Sequence, residues 1–191
     1  KILEPAVGLG AFIPQIVSAC YQVEKIEIDV VDIDSECLKK LKKYISSFNF
    51  HSSVKINYIC EDFLMWDTDK SYDLVISNPP YFKLKSSDLK KYRENFNVKS
   101  DNIYAFFLKK FYDMADKFIF VIPKTFVMAS DYEDIRKLYE NIPVVQIIDY
   151  GVKYFKDVFI EILSIYFDKD YVEDICIENK LDKTKIYQKQ K

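Results

Sequence analysis

The chain has 191 residues, a formal net charge of −2 and 49% hydrophobic residues, which is enough for one α/β domain with a buried core. A pI of about 5.6 argues against a protein that binds DNA over its whole surface, because such a surface would have to be basic. No apolar run reaches the length of a membrane span and no signal peptide is recognised, so we expect no membrane partner. The four cysteines and single histidine show no metal-binding spacing, so we expect no metal site.

Apolar runs alternate with amphipathic patterns along the chain, which is typical of a βαβ series. The predicted strands lie near residues 1–3, 27–32, 55–60, 73–77, 117–122, 144–149 and 158–167, and the predicted helices near 12–21, 35–47, 102–115 and 131–140. Because too few residues join the last two strands for a crossover helix, the final strand is expected to run antiparallel. Residues 168–191 are polar and rich in charge, which predicts an exit segment rather than core.

Two of the three glycines, Gly8 and Gly10, follow the first predicted strand, where they permit a tight turn and a close approach to a ligand. The spacing is not the dinucleotide fingerprint, since Ile13 stands at the third glycine position. About twenty residues further on, the second strand ends at Asp32, and an acid there in a doubly wound sheet suits the two hydroxyls of a ribose. A nucleoside without phosphates fits this pattern best.

The third predicted strand leads to Asp62 and Phe63, an acid beside an aromatic residue. This pair can bind an adenine through its amine and its face. Open parallel sheets bind their ligands at the carboxyl ends of the strands, so these loops are expected to converge on one crevice.

The fourth predicted strand runs out into Asn78–Tyr81, with the sequence Asn-Pro-Pro-Tyr. An amine on an aromatic ring is a poor nucleophile and reacts well only when acceptors hold its hydrogens, as the Asn78 side-chain oxygen and the Pro79 carbonyl can. Pro79 and Pro80 fix φ, and Tyr81 offers a face for stacking. If the ring of Tyr81 only stacks, Tyr81→Phe is expected to cost little. This run alone is equally compatible with a Pro-Pro turn that closes a strand.

Three stretches together resemble motifs of the S-adenosylmethionine-dependent adenine-specific DNA methyltransferases of bacterial restriction-modification systems: Glu4–Phe12, Asp62–Trp66 and Asn78–Tyr81. Their order is similar to that of the gamma class. The resemblance continues through Asn102–Phe107, Phe120–Thr125 and Asp149–Gly151 with Phe155, and covers residues 1 to about 167. The set is far more specific than any one motif.

This resemblance implies a Rossmann-like class I methyltransferase sheet of about seven strands, with the last strand antiparallel and helices on both faces. It implies S-adenosyl-L-methionine as cofactor and transfer of its methyl group to the N6 amine of an adenine flipped out of a specific double-stranded DNA site. The implied cofactor-binding residues are Glu4, Pro5, Ala6, Gly8, Gly10, Asp32, Ile33, Asp62 and Phe63. The implied catalytic residues are Asn78, Pro79, Pro80, Tyr81 and Phe155, with Phe155 on or near the other face of the base.

Basic residues follow the catalytic loop and the fifth strand, and Lys83, Lys85 and Lys124 are candidates for contact with DNA, although such residues are also typical of a solvated loop. Lys1 begins inside the first predicted strand. We therefore expect residues 1–167 to be an N-terminally truncated catalytic domain and 168–191 to lead towards an absent target recognition domain. A bacterial or archaeal cytoplasm and a cognate restriction endonuclease as a candidate partner agree with the resemblance.

Two other functions stay open. Protein glutamine methyltransferases also carry Asn-Pro-Pro-Tyr, because a side-chain amide resembles an amine on a conjugated system. Their cofactor loop usually reads Asp-x-Gly-x-Gly-Ser-Gly, from which Glu4–Phe12 departs. The other alternative is a cofactor-binding part of a larger restriction enzyme that has no turnover of its own. Cofactor binding without methylation of any DNA would favour that second alternative.

Overall fold

A computed structural model describes residues 1–152 and 159–189. The strands are β1 (Ile2–Pro5), β2 (Ile26–Asp32), β3 (Val54–Cys60), β4 (Leu74–Ser77), β5 (Lys117–Pro123), β6 (Val144–Gly151), β7 (Ile162–Asp168), β8 (Ile175–Asn179) and β9 (Lys185–Gln188). They form a mixed sheet in the order β3-β2-β1-β4-β5-β7-β6-β8-β9.

The strand directions follow the predicted pattern. Strands β1 to β5 run parallel to their neighbours among themselves, and β7 is antiparallel to both β5 and β6. The antiparallel direction of the last predicted strand is therefore confirmed. The reversal follows from the short connection between β6 and β7, which has no room for a crossover helix.

The sheet is larger than predicted, because β8 pairs parallel with β6 and β9 pairs antiparallel with β8. The sequence predicts about seven strands and no strand in residues 168–191. In β8, Ile175, Cys176 and Ile177 are consecutive and stay only partly buried, and Ile186 in β9 is exposed. A strand is recognised in a sequence by apolar residues at every second position, which form its one buried face. A polar hairpin at the edge of a sheet has no such face, so its sequence does not show this alternation.

The helices are α1 (Ile13–Ala19), α2 (Ser35–Ile45), α3 (Ser86–Arg93), α4 (Ile103–Phe111), α5 (Thr125–Met128) and α6 (Glu133–Tyr139), with a 3-10 turn at Ser130–Tyr132. Asp34 caps the start of α2 by accepting backbone N–H groups, and Asn102 caps α4 in the same way. Within the described ranges, no helix is both long and apolar enough to cross a bilayer.

Helices cover both faces of the sheet, as expected. On one face, α4 and α6 bury an aromatic core that includes Phe106 and Phe120. On the other, α1 and α2 pack Ile13 and Leu41 against Ile28 of β2. Strands β1 to β5 therefore lie between two hydrophobic cores. The carboxyl ends of these strands form one edge of the sheet, which carries most of the predicted site residues.

Candidate active site

The loop after β1 turns through three residues with positive φ, Ala6 (56°), Gly8 (54°) and Gly10 (73°). A Cβ added at Gly10 would lie 2.2 Å from Cδ1 of Leu41, so this glycine lets the loop pack on α2. A Cβ added at Gly8 would meet no atom within 4 Å. The backbone at Gly8 thus faces open space that a ligand can enter, whereas Gly10 serves packing.

Asp32, the last residue of β2, ties this loop to the sheet. Its Oδ2 accepts the backbone N–H of Gly8 at 2.8 Å, and its Oδ1 accepts that of Asp34 at 3.0 Å. A carboxylate offers about four lone-pair positions, so each oxygen keeps one acceptor free. Two free acceptors on one rigid, half-buried carboxylate match the two hydroxyls of a ribose.

Asp62, two residues after β3, is held from two sides. Its Oδ1 accepts the backbone N–H of Leu64 at 3.1 Å. Its Oδ2 accepts hydrogen bonds from Lys91 Nζ and from the Tyr92 hydroxyl, both at 3.0 Å. By the same lone-pair count, Asp62 keeps one free acceptor, on Oδ1.

The turn that follows Asp62 is fixed by α4. The backbone N–H of Trp66 donates to the Asp62 carbonyl at 2.8 Å, and the ring centroids of Phe63 and Trp66 lie 6.4 Å apart. The Lys110 ammonium donates to the carbonyls of Phe63 and Trp66 at 2.7 and 2.5 Å, and burial lowers the pKa of Lys110. These bonds leave the turn little freedom to move.

A cavity of about 420 Å³, called here the first cavity, lies between these loops. It is lined by Ala6, Asp32, Ile33, Glu61, Asp62, Phe63, Asn78, Pro80, Phe82, Tyr92, Ile103 and Phe107. Seven of these residues are predicted site residues: Ala6, Asp32, Ile33, Asp62, Phe63, Asn78 and Pro80. The structure thus brings both predicted acids and the start of the Asn-Pro-Pro-Tyr run to one cavity.

The Asn78–Tyr81 segment separates the first cavity from a second one. Pro79 is buried, while the Asn78 side chain is exposed. The Tyr81 hydroxyl lies 2.5 Å from the Val121 carbonyl oxygen and also contacts the Asn78 side-chain oxygen. A phenol has one proton, so it can donate to only one of these acceptors at a time. Burial raises the pKa of Tyr81 well above its usual value, which keeps that proton in place at neutral pH.

The second cavity measures about 330 Å³. It is lined by Tyr81, Asn102, Tyr104, Pro123, Lys124, Thr125, Tyr132, Ile160 and Glu161. The ring of Tyr81 meets that of Tyr104 edge-on at 6.0 Å, and Tyr104 stacks on Tyr132 at 4.9 Å. One part of the wall of this cavity is therefore a set of three packed aromatic rings from separate elements, and the other six lining residues are not aromatic.

Two of the three predicted DNA-contacting lysines form ion pairs within the chain. Lys83 Nζ lies 3.1 Å from Asp101, and Lys124 Nζ lies 2.7 Å from Asp149. Hydrogen bonds to these carboxylates raise the pKa of both lysines. Lys85 is exposed at the start of α3. None of the three lysines lines the first cavity, and Lys124 is the one of them that lines the second.

Four predicted cofactor residues are not part of the lining of the first cavity: Glu4, Pro5, Gly8 and Gly10. The Pro5 carbonyl accepts the Ser77 hydroxyl at 3.2 Å, which locks β1 to β4. Glu4 is 3% exposed, its Oε2 has no hydrogen-bond partner among the described residues, and burial raises its pKa to about 8. Such a carboxyl is an orphan that a cationic or donor group would satisfy. Phe155 lies outside the described residues.

Some lining residues are missed by the sequence analysis. Ile103 and Phe107 stand one helical turn apart on α4, so their shared face was available as a signal. Tyr92 had no comparable signal, since Leu89 and Tyr92 give α3 a weak apolar period in a run of charges. Phe82 reaches the cavity because the segment after Tyr81 pairs with the start of α4, where Ile103 N–H donates to the Phe82 carbonyl at 3.0 Å.

Comparisons with known proteins agree with this geometry. The type II methyltransferase M.AccI of Acinetobacter calcoaceticus is 32% identical over 148 residues, which are 72% of this chain and 26% of that protein. A tRNA1(Val) (adenine(37)-N6)-methyltransferase of Trichodesmium erythraeum is 31% identical over 94 residues, 49% of this chain and 38% of that protein. A Listeria monocytogenes structure assigned to the class I S-adenosylmethionine-dependent methyltransferases covers 93% of this chain and 57% of its own, with a TM-score of 0.75 and 16% identity.

The chain spans about a quarter of the length of M.AccI. The class I methyltransferase fold is confirmed, and the cofactor of the domain is S-adenosyl-L-methionine, as the sequence predicts. The model of a family described as "Eco57I restriction-modification methylase" matches residues 15–159. This match spans most of the chain, which therefore belongs to the Eco57I restriction-modification methylase family.

Proposed function

We propose that this domain transfers the methyl group of S-adenosyl-L-methionine to the N6 amine of an adenine flipped out of a specific double-stranded DNA site. One observation carries this proposal: two cavities of suitable size meet at Asn78–Tyr81, with Asn78 and Pro80 in the lining of the first and Tyr81 in that of the second. A methyl donor in one cavity and an amine in the other would react across this segment.

The first cavity suits the cofactor. The two free lone pairs of Asp32 would accept the ribose hydroxyls, and the free lone pair of Asp62 would accept a hydrogen of the adenine amine. Ile33, Phe63 and Phe107 supply apolar surface for the adenine ring. Glu4 stays a proposed cofactor-binding residue, with a buried carboxyl whose Oε2 lacks a hydrogen-bond partner among the described residues.

The second cavity suits the target base. Inside a duplex, the adenine amine is paired and stacked, so the base must leave the helix at a cost of about a few kcal/mol. The ring of Tyr81 would provide a face for stacking that offsets part of this cost, and the buried rings of Tyr104 and Tyr132 would support it from behind. Phe155 stays the proposed aromatic partner from the other side.

Asn78 and the Pro79 carbonyl would hold the two amine hydrogens, so that the nitrogen lone pair points at the methyl group. The Tyr81 hydroxyl has two acceptors within reach and one proton. Only the Asn78 amide can rotate to present a donor, because the Val121 carbonyl has none. In the consistent arrangement, Tyr81 donates to Val121 and accepts from the Asn78 NH₂ group. The Asn78 oxygen is then left for the amine.

We further propose that Lys83, Lys85 and Lys124 contact DNA phosphates. The ion pairs of Lys83 and Lys124 would have to open or be shared when a phosphate arrives, so these contacts contribute less than free lysines would. With a net charge of −2 the domain has little general attraction for DNA, which places most of the affinity in local contacts or in other parts of the protein. A bacterial or archaeal cytoplasm and a cognate restriction endonuclease remain the proposed setting and partner.

The test uses the full-length protein and S-adenosylmethionine with a labelled methyl group. Unmethylated duplex DNA, tRNA and total bacterial protein are offered separately, and the products are hydrolysed and identified by mass spectrometry. We expect N6-methyladenine in the duplex DNA. Label in tRNA alone would instead assign an RNA target, for which the Trichodesmium relative is a precedent. Label on glutamine, or cofactor binding with no methylation, would overturn the proposal.

A further inference from the structure

The Asp62 carboxylate of the first cavity accepts hydrogen bonds from side chains of α3. One oxygen of this carboxylate, Oδ1, accepts a hydrogen bond from the backbone N–H of Leu64 in its own turn. The other oxygen, Oδ2, is set by two successive residues of α3, Lys91 and Tyr92. The direction in which the free lone pair of Oδ1 points therefore depends on a helix outside the cofactor motifs.

The two donors differ in rigidity. Tyr92 is buried, lines the first cavity, and its ring packs against Phe106 at a centroid distance of 6.0 Å. Lys91 is exposed, with 49% of its side chain accessible, and its ammonium lies 5.0 Å from the Tyr92 ring centroid. An exposed lysine ion pair contributes little because water and rotamer freedom compete with it. The hydrogen bond from the buried hydroxyl is the contact that holds the carboxylate.

The state of Tyr92 fits this role. Burial, together with the hydrogen bond to Asp62, raises the pKa of Tyr92 well above its usual value. The hydroxyl therefore stays protonated and acts as a donor at any physiological pH. It cannot compete with the adenine amine for the same acceptor, since it occupies Oδ2 while the free lone pair lies on Oδ1.

We propose that Tyr92 is a positioning residue, which orients the Asp62 carboxylate so that the first cavity selects an adenine amine over an oxygen at the same ring position. This inference rests on the proposed placement of the cofactor adenine at Asp62. A carboxylate oxygen that is held in one direction accepts from an amine and repels a carbonyl oxygen. A carboxylate free to rotate loses part of that discrimination.

The experiment measures calorimetric affinities of the full-length protein for S-adenosylhomocysteine and for S-inosylhomocysteine, in which a carbonyl oxygen replaces the amine. The wild type is expected to prefer the adenosyl ligand by at least about tenfold. Tyr92→Phe keeps the ring and is expected to lower this ratio by about three- to tenfold, through weaker binding of the adenosyl ligand. Tyr112→Phe, which removes a hydroxyl from a residue outside the first-cavity lining, serves as the matched control and should leave the ratio unchanged.

The outcomes separate the inference from the function on which it rests. A wild type that binds neither ligand, or both equally, removes adenine from Asp62 and overturns the cofactor placement itself. A wild type that discriminates, with the same ratio in Tyr92→Phe, overturns the role of Tyr92 alone. Equal losses for both ligands would mean that Tyr92 only supports the cavity, which also overturns it. In an Asp62→Asn background, Tyr92→Phe should change the ratio no further.

Discussion

The two cavities that meet at Asn78–Tyr81 are built in different ways. The first is shaped by acids at strand ends whose carboxylates accept backbone N–H groups of adjacent loops, as Asp32 does from Gly8. The second is a wall of aromatic rings from separate elements, such as Tyr104 of α4 and Tyr132 of the 3-10 turn. Hydrogen bonds to carboxylates fix the first cavity before any ligand arrives, whereas the second depends on the packing of rings. Substitutions in the two should therefore fail differently.

The largest separation is expected from Asn78→Ala in the full-length enzyme. Loss of the side-chain acceptor should lower adenine methylation at least about a hundredfold, because the amine is no longer held in line with the methyl group. Cofactor affinity, measured by calorimetry, should stay within a few fold. Asn141→Ala, at an exposed position after α6, is the control. Turnover above a hundredth of the wild-type value would mean that Asn78 is not the main source of rate.

The next effect concerns the stability of the fold and depends on Glu4, which is buried in β1. Its pKa is raised to about 8, so the folded state holds a proton that the unfolded chain releases above its ordinary pKa. The stabilisation is complete below that ordinary value and is lost as pH rises towards 8, by about 2 kcal/mol between pH 6 and pH 8. Glu4→Gln should remove this slope in urea unfolding. A slope that survives the substitution would assign it to another group.

Asp32→Ala tests the hydrogen-bonded construction of the first cavity. A carboxylate bond to a hydroxyl contributes about 1.5 to 3 kcal/mol, so affinity for S-adenosylhomocysteine should fall at least about tenfold. Asp170→Ala, exposed beyond β7, should leave it unchanged. Unchanged calorimetric affinity in Asp32→Ala would remove Asp32 from the ribose site.

The smallest effect is expected from Tyr81→Phe, and the two substitutions at Tyr81 together sharpen the account of the second cavity. Tyr81→Ala removes base stacking and should destabilise the extruded base by about 1 to 3 kcal/mol. This loss should appear as a weaker fluorescence change of 2-aminopurine at the target position. Tyr81→Phe keeps the ring, and stacking alone predicts little cost. With the hydroxyl bonded to Val121 and Asn78, we now expect kcat to fall about three- to tenfold while the KM for DNA is retained. An unchanged kcat would leave stacking as the whole role of Tyr81.

The sequence predicts best what is determined locally. The parallel strands are short apolar runs that end in loops, and Asp32 and Asp62 stand where such loops begin, so both the sheet and the acids of the first cavity are recognisable. The confirmed predictions are the class I fold, the cofactor and the restriction-modification methylase family.

What the sequence does not predict depends on contacts between distant segments. Tyr92 donates to Asp62 although the two are 30 residues apart in the sequence. It lies on a helix with so many charged residues that the apolar period is weak in the sequence. The β8–β9 hairpin is stabilised by the strand next to it rather than by a buried face of its own, so no periodicity marks it. The aromatic wall of the second cavity is likewise chosen from fifteen Tyr and fifteen Phe by packing alone.

Trp66 is the single tryptophan of the chain, and the hydrogen bonds from Lys110 hold the turn on which it lies. Its indole lies 6.4 Å from the ring of Phe63, which lines that cavity. Within this domain, emission excited at indole wavelengths therefore arises from one place beside the proposed cofactor site. The domain thus carries an intrinsic optical probe at that place, with which the rates of cofactor entry and departure can be followed by stopped-flow mixing without any attached dye.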